Sequence, residues 1–141
     1  MADLFTVTDL CLSLPDMARR GLLRRAPRVE ILKGITLSIP KGEVIGIVGG
    51  SGSGKSTLGR ALVRLIEPTG GSIAFDGADI THLGADALRP LRRRFQMIFQ
   101  DPMSSLNPRR TVAAIVAGPL RLHGFDRVQE RVAEALDHVA L

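Results

Sequence analysis

The stretch Gly49-Gly50-Ser51-Gly52-Ser53-Gly54-Lys55-Ser56-Thr57 decides how the chain is read. It matches the pattern G-x-x-x-x-G-K-[ST]. Gathering phosphate oxygens takes several N–H donors converging on one point, and a backbone that wraps a phosphate passes through positive φ values that side chains resist. The open start of a following helix adds N–H groups and about half a unit of positive charge. Lys55 has the reach for β- and γ-phosphates, and the Ser56 hydroxyl suits a Mg²⁺ that bridges the same oxygens. At this chain's own residue frequencies the pattern arises by chance in roughly one such chain in 300. A Gly/Ser-rich turn would account for the glycines. It would not account for one of only three lysines falling on the critical position.

The flanks supply the context that the mechanism requires. Val44-Ile45-Gly46-Ile47-Val48 is continuously apolar, which predicts a strand buried on both faces, as in the middle of a parallel sheet. After the loop, Leu58, Ala61, Leu62, Leu65 and Ile66 recur at helical spacing, and Pro68 with Gly70-Gly71 ends that helix. Upstream, Leu10, Leu12 and Leu14 alternate with Cys11 and Ser13, and Ile35, Leu37 and Ile39 alternate with Thr36 and Ser38, which predicts two half-buried strands joined by a polar, Arg-rich loop over 16–28. Downstream, residues 72–75 read as a strand closed by an Asp76-Gly77 turn, and residues 81–94 as partly helical and interrupted by Pro90. Residues 95–99 read as a further strand with Phe95, Met97 and Phe99 on one face, and 100–110 as a loop. Residues 111–122 read as a helix disturbed by Gly118-Pro119. A last helix is predicted to start at Asp126 as cap, with Gln129 as its capping-box partner and Val128, Val132, Ala135, Leu136 and Val139 on one face.

Composition narrows the function classes. The chain has 141 residues, of which 45% are apolar and 23% charged, so disordered, collagen-like and disulfide-framed classes are excluded. Cys11 is the single cysteine, which fits a reducing compartment and leaves no all-cysteine metal site. The longest apolar runs, 44–50 and 112–120, fall far short of the ~20 residues that span a bilayer, and the N-terminus lacks a signal-peptide pattern. The net charge of +5 comes from clustered arginines, 16 against 3 lysines. With Trp and Tyr absent and the five Phe scattered, nothing is interleaved to stack bases, so these clusters read as solvated loop and helix faces and no nucleic-acid partner is expected.

Residues 49–57, Gly71-Ser72-Ile73-Ala74-Phe75-Asp76-Gly77 and Phe95-Gln96-Met97-Ile98-Phe99-Gln100-Asp101-Pro102 together resemble the nucleotide-binding subunits of ABC transporters. The run from Gln96 to Arg109 is similar to that of the second ATP-binding subunit of dipeptide, oligopeptide and nickel importers. The resemblance implies an α/β fold: a P-loop NTPase core of the ABC ATPase type with an antiparallel β subdomain over about 1–99, then the Q-loop and the start of a helical subdomain over about 100–141. It implies ATP and Mg²⁺ as ligands. Gly49, Gly50, Ser51, Gly52, Ser53, Gly54, Lys55, Ser56 and Thr57 then form the Walker A loop, Ser56 and Gln100 touch the metal, and Lys55 and Gln100 serve catalysis. Gln100 corresponds to the Q-loop glutamine, whose carbonyl can bind a cation and whose amide can orient water. Residues 103–106 would face the membrane subunit. Implied partners are membrane-spanning permease subunits, a second ATP-binding subunit and, indirectly, an extracytoplasmic solute-binding protein, with the chain docked at the cytoplasmic face of the membrane. Where the family usually stacks adenine on an aromatic residue, this chain has Leu14, leaving apolar or arginine side chains of the 14–29 loop to hold the base.

Several further family parts do not occur in these residues: a Walker B aspartate with its glutamate, the L-S-G-G-Q signature and a switch histidine. Asp76 mimics a Walker B aspartate but reads as a hairpin turn, and His82, His123 and His138 match a switch histidine by residue type alone. The stretch therefore reads as the N-terminal half of an ABC ATPase domain, whether a fragment, a gene cut short or a partial sequence. A non-hydrolysing nucleotide-binding remnant and a non-transport ABC-type ATPase are the competing readings. A strand apolar on both faces that lacks neighbours leaves apolar surface and backbone groups unpaired, so poor solubility or dependence on a partner is expected.

Overall fold

The computed structural model describes residues 2–16, 26–101 and 105–140. They form two compact units, Met1–Met97 and Ile98–Leu141. The first holds strands β1 (Asp3–Pro15), β2 (Arg28–Pro40), β3 (Gly70–Phe75) and β4 (Ala78–Asp79), with helices α1 (Lys55–Leu62) and α2 (Ala85–Leu91). The second holds α3 (Val112–Leu122) and α4 (Val128–Asp137). Most of the Arg-rich stretch, 17–25, and residues 102–104 lie outside the described residues, so the loop reading there and half of the proposed membrane-facing stretch 103–106 do too.

The four strands pair antiparallel in the order β2-β1-β3-β4. β1 and β2 extend well beyond the alternating stretches that predicted them, because each finds a partner along its whole length. β1 changes face midway: Phe5 and Val7 are buried, and then Leu10 and Leu12. The change of parity is a β-bulge. Asp9 has φ 50°, and its N–H donates to Thr36 Oγ1 at 2.9 Å. Gly71 of β3 passes so close that a Cβ there would strike the Asp9 carbonyl.

The core lies on one face of this sheet, where Leu58, Ala61 and Leu62 of α1 meet Phe5, Val7, Leu10, Leu12, Leu32, Ile73 and Phe75, with Ile80 and Leu88 completing it. The helix predicted to run to Ile66 stops at Leu62. Arg64 takes φ 53°, its N–H donates to the Ala61 carbonyl (2.9 Å), and the Leu65 N–H donates to the Arg60 carbonyl (2.8 Å). This is a Schellman termination with arginine in the place that glycine usually fills. The buried Arg64 side chain offsets the unfavourable φ by donating from Nε to the Ile80 carbonyl at 2.9 Å. Arg92 reaches back to the Arg64 carbonyl at 3.0 Å. Pro90 lies inside α2, which ends one residue later; lacking an N–H, it cannot continue the ladder.

Two predicted strands are corrected. Residues 44–48 belong to no strand, and Val44 and Val48 are each 96% exposed. A strand apolar on both faces needs hydrogen-bonding neighbours and cover on both sides. The four described strands pair only with one another. Residues 95–99 likewise form no strand. Phe95 instead turns inward to complete an aromatic cluster, 4.9 Å from Phe75 and 5.8 Å from Phe5 by ring centroids, while Ile98 is 91% exposed. The scattered phenylalanines of the sequence are thus partly gathered in space.

In the second unit, α3 begins at Thr111, whose Oγ1 accepts the Ala114 N–H, and it runs through Gly118-Pro119 without a break. The predicted Asp126 cap is displaced by one residue. Arg127, at φ 50°, occupies the N-cap without a side-chain cap bond, and Asp126 instead offers its carbonyl to Arg131 Nε. Val132 is buried, whereas Val139, predicted on the same face, is 64% exposed because the helix ends at Asp137.

Asp76 and Gly77, both at positive φ, make the β3–β4 hairpin turn, as the sequence reading held against a Walker B assignment. The Asp76 carboxylate binds Lys41, just past β2, and Arg94 at 2.6 Å. These hydrogen bonds, Lys41 first, hold its pKa down to about 2, against an ordinary 3.8. A depressed carboxylate pKa contributes stability that is fully present above the unfolded value and is lost as pH falls toward the folded one. Asp76→Asn is therefore expected to lower stability at pH 6 and to flatten the decline between about pH 4 and pH 2. Some slope should remain from Asp79, whose pKa is lowered by its bonds with Thr81. Denaturant titrations across that range, with the same acid slope in both proteins, would contradict this role.

Candidate phosphate-binding site

The loop is built by tight local turns. The Ser53 N–H donates to the Gly50 carbonyl at 3.3 Å, and α1 opens with Leu58 N–H donating to the Gly54 carbonyl at 2.8 Å. Gly54 is the N-cap, at φ 91° and ψ 3°. A Cβ there would be strained by that φ and would also lie 3.3 Å from Leu32 Cδ2 and 3.4 Å from the Ile31 carbonyl of β2. Glycine at 54 thus serves both the turn and the close approach of helix to sheet. No side chain caps α1, and no acid lies in its first turn, so its positive end is left for another anion.

Lys55 organises the loop. Its Nζ donates to the Gly49 carbonyl (2.8 Å), the Gly50 carbonyl (2.5 Å) and Ser53 Oγ (3.2 Å). Its side chain therefore folds back across the loop. Beside it lies a cavity of about 230 Å³ lined by Ile31, Gly52, Ser53, Gly54, Lys55, Ser56 and Thr57. The structure therefore brings Gly49, Gly50, Ser53 and Lys55 into one hydrogen-bonded group, and Gly52, Gly54, Ser56 and Thr57 around one cavity with it. Ser51 is exposed on the loop outside the lining. Gln100 is exposed in the second unit.

Among the described residues no group of three or more His, Cys, Asp or Glu is placed to hold a metal ion. The side-chain oxygens that line the cavity are the hydroxyls of Ser53, Ser56 and Thr57, of which Ser56 holds the motif's metal position. This suits Mg²⁺ that arrives on phosphate oxygens and keeps most of its water, rather than an ion caged by protein.

Sequence reading missed Ile31. Leu12 pairs with Leu32 and Ser13 with Glu30, so Ile31 is the extra residue of a bulge in β2. Bulges re-aim side chains beside sites, and this one sets Ile31 against the loop. The adjacent apolar pair Ile31-Leu32 inside an alternating strand was the available signal.

The sequence pattern of the ABC transporter family matches residues 32–141. The oligopeptide transport ATP-binding protein AppF of Bacillus subtilis is 45% identical over 128 residues, covering 87% of this chain and 39% of that protein. The glutathione import ATP-binding protein GsiA of Salmonella paratyphi A is 48% identical over 127 residues, covering 87% of this chain and 20% of that protein. The chain therefore spans two fifths or less of the length of these relatives. Among solved structures, a dimeric ATP-binding cassette in a post-hydrolysis state, bound to ADP and Pi, superposes with a TM-score of 0.73 at 26% identity, over 97% of this chain and 57% of that one. No helix among the described residues is long and apolar enough to cross a membrane.

Replacing Gly54 by alanine imposes a strained φ worth about 1 kcal/mol or more and presses on β2. Affinity for magnesium tripolyphosphate is expected to fall roughly tenfold or more in calorimetric titration, with the far-UV spectrum unchanged. Undiminished affinity in a folded variant would show that the loop does not need this turn.

Proposed function

The chain belongs to the ABC transporter family, and on that premise we propose that it is the ATP-binding part of an importer, coupling ATP binding and hydrolysis to uptake of a solute of the peptide or nickel class. The observation that carries the reading is Lys55 bonded to both loop carbonyls beside a cavity at the uncapped start of α1. An ammonium already gathered at the loop loses little conformational freedom when it turns to a β- or γ-phosphate. Helix N–H groups and glycine backbone supply the remaining donors. Ser56 would hold Mg²⁺ together with the phosphates, and the metal would supply charge neutralisation there.

Gln100 is assigned to sensing the nucleotide: it would contact Mg²⁺ and water and pass the state of the γ-phosphate to a membrane subunit. The first unit is read as P-loop core with β subdomain, and the stretch from about residue 100 as the start of the helical subdomain. Permease subunits, a second ATP-binding subunit and an indirectly coupled solute-binding protein are the proposed partners, at the cytoplasmic face of a membrane. Names of relatives that specify oligopeptide transport and glutathione import support the peptide class over a non-transport ATPase. Within the 141 residues the phosphate loop is the one complete catalytic element, so the activity proposed for this stretch by itself is nucleotide binding, with hydrolysis belonging to the whole protein.

Lys55→Ala is expected to weaken Mg·ATP binding at least tenfold, since it removes a charge-assisted contact to phosphate. Unchanged affinity would end the phosphate-loop reading. In the full-length protein, Gln100→Ala should cut transport and hydrolysis by about tenfold or more, the loss typical of a water-positioning or metal-contacting group. Vesicle uptake and phosphate release that match the parent would remove Gln100 from the machinery.

A further inference from the structure

An ammonium carries three N–H donors and no acceptor. All three donors of Lys55 are engaged inside the loop: by the Gly49 carbonyl at 2.8 Å, the Gly50 carbonyl at 2.5 Å and Ser53 Oγ at 3.2 Å. A phosphate oxygen can gain one of these donors only if a loop acceptor gives it up. The three acceptors are not equal. The two carbonyls belong to the backbone and make the shorter bonds. The Ser53 hydroxyl makes the longest, sits on an exposed residue and turns about a single χ1 bond. The loop is shaped to put that hydroxyl there. The Ser53 N–H donates to the Gly50 carbonyl at 3.3 Å, which folds residue 53 back toward the start of the loop. A Cβ on Gly49 would lie 2.8 Å from Ser53 Oγ and 3.9 Å from Lys55 Cδ. Gly49 takes no positive φ, unlike Gly52 and Gly54. What its missing side chain provides is room for the Ser53 hydroxyl, with the lysine stem alongside. Ser53 also lines the cavity beside Lys55, so its hydroxyl and a phosphate oxygen compete there for one donor.

We propose that Ser53 is a positioning residue that latches Lys55: its hydroxyl holds the third N–H of the ammonium and releases it when a phosphate chain is gripped. The two carbonyl bonds keep the ammonium at the loop, and the Ser53 bond sets how readily it turns to the ligand. The latch stabilises the protein without phosphate and not the complex, so removing it strengthens phosphate binding. A serine that merely shaped the loop, or that donated to the ligand, would act in the opposite sense. The latch rests on the nucleotide reading above and assigns that site a residue that restrains its affinity.

The test is calorimetric titration of the 141-residue chain with magnesium tripolyphosphate, beside Ser53→Ala and Ser53→Thr variants. It is joined to acetylation of the lysines by acetic anhydride with no ligand added. Residue 53 is exposed, so both variants should fold, and far-UV spectra check it. Ser53→Ala should bind tripolyphosphate about threefold more tightly, the scale of one solvent-exposed hydrogen bond. Ser53→Thr keeps the hydroxyl and should match the parent within about twofold. Peptide mass analysis should show Lys55 acetylated about twofold faster in Ser53→Ala than in the parent, since one of its three bonds is gone. Lys33, exposed on β2, is the internal reference. Weaker or unchanged tripolyphosphate affinity in Ser53→Ala would overturn the proposal. So would an unchanged rate of Lys55 acetylation, or a threonine variant that behaves like the alanine one. If the parent itself fails to bind tripolyphosphate, the phosphate-loop reading falls and the latch falls with it. That result is distinct from a parent that binds and a Ser53→Ala variant that binds no more tightly.

Discussion

Helix α1 starts so near strand β2 that a Cβ at its N-cap would press on Leu32 and Ile31, and this close approach is the constraint on which the site depends. It is possible because residue 54 has no side chain and takes φ 91°. The same contact sets the uncapped helix end beside the loop, seats Leu58, Ala61 and Leu62 over the sheet, and makes Ile31 a wall of the cavity beside Lys55. Packing and ligand chemistry are therefore one arrangement here: loosening the helix from the sheet would open the cavity as well as the core.

A second arrangement ties down the other end of the sheet. Phe5, Phe75 and Phe95 make mutual tilted and edge contacts with centroids 4.9 to 5.8 Å apart, and the Arg94 guanidinium lies 4.8 Å from the Phe75 ring. Arg94 also reaches Asp76, which in turn binds Lys41. One aspartate in a hairpin turn thus joins the exit of β2 to the segment that follows α2. Both segments lead onward to exposed apolar residues, Val44 and Val48 on one side and Ile98 on the other. These contacts thus lie where the chain passes into some of its least covered stretches.

Local chemistry was legible in the sequence and partner-dependent structure was not. Gly49 to Thr57 is a contiguous motif in which each residue type has a mechanical reason, and the tight turn and the helix start at Gly54 that it calls for are present. The Asp76-Gly77 hairpin was legible for the same reason. Residues 44–48 and 95–99 were read as strands from apolar content, but a strand is defined by the neighbour it pairs with, and composition does not supply the neighbour. The start of α4 slipped by one residue because Asp126 suits a cap by type, whereas the left-handed turn falls on Arg127. Ile31 was overlooked because a bulge moves a side chain by one position in register, a change that periodicity averages away. The role proposed for Gln100 rests on resemblance to the family and not on its own surroundings.

The bulge at Asp9 has a consequence for inheritance. β1 carries one residue more than either neighbour at this point, since Val7 and Leu10 face Leu37 and Ile35, while Thr8 and Cys11 face Ser72 and Gly70. Loss of that single codon would leave Phe5, Val7, Leu10 and Leu12 all on the core side, whereas loss of a codon elsewhere in the strand would turn one part of it inside out. Gly34 and Gly71 are both crowded by Asp9, through its carboxylate and its carbonyl respectively. Both also take positive φ, 68° and 77°, so each position favours glycine on two counts. Three residues far apart in the gene thus meet at one point of the sheet: the aspartate that makes the bulge and the two glycines that leave room for it.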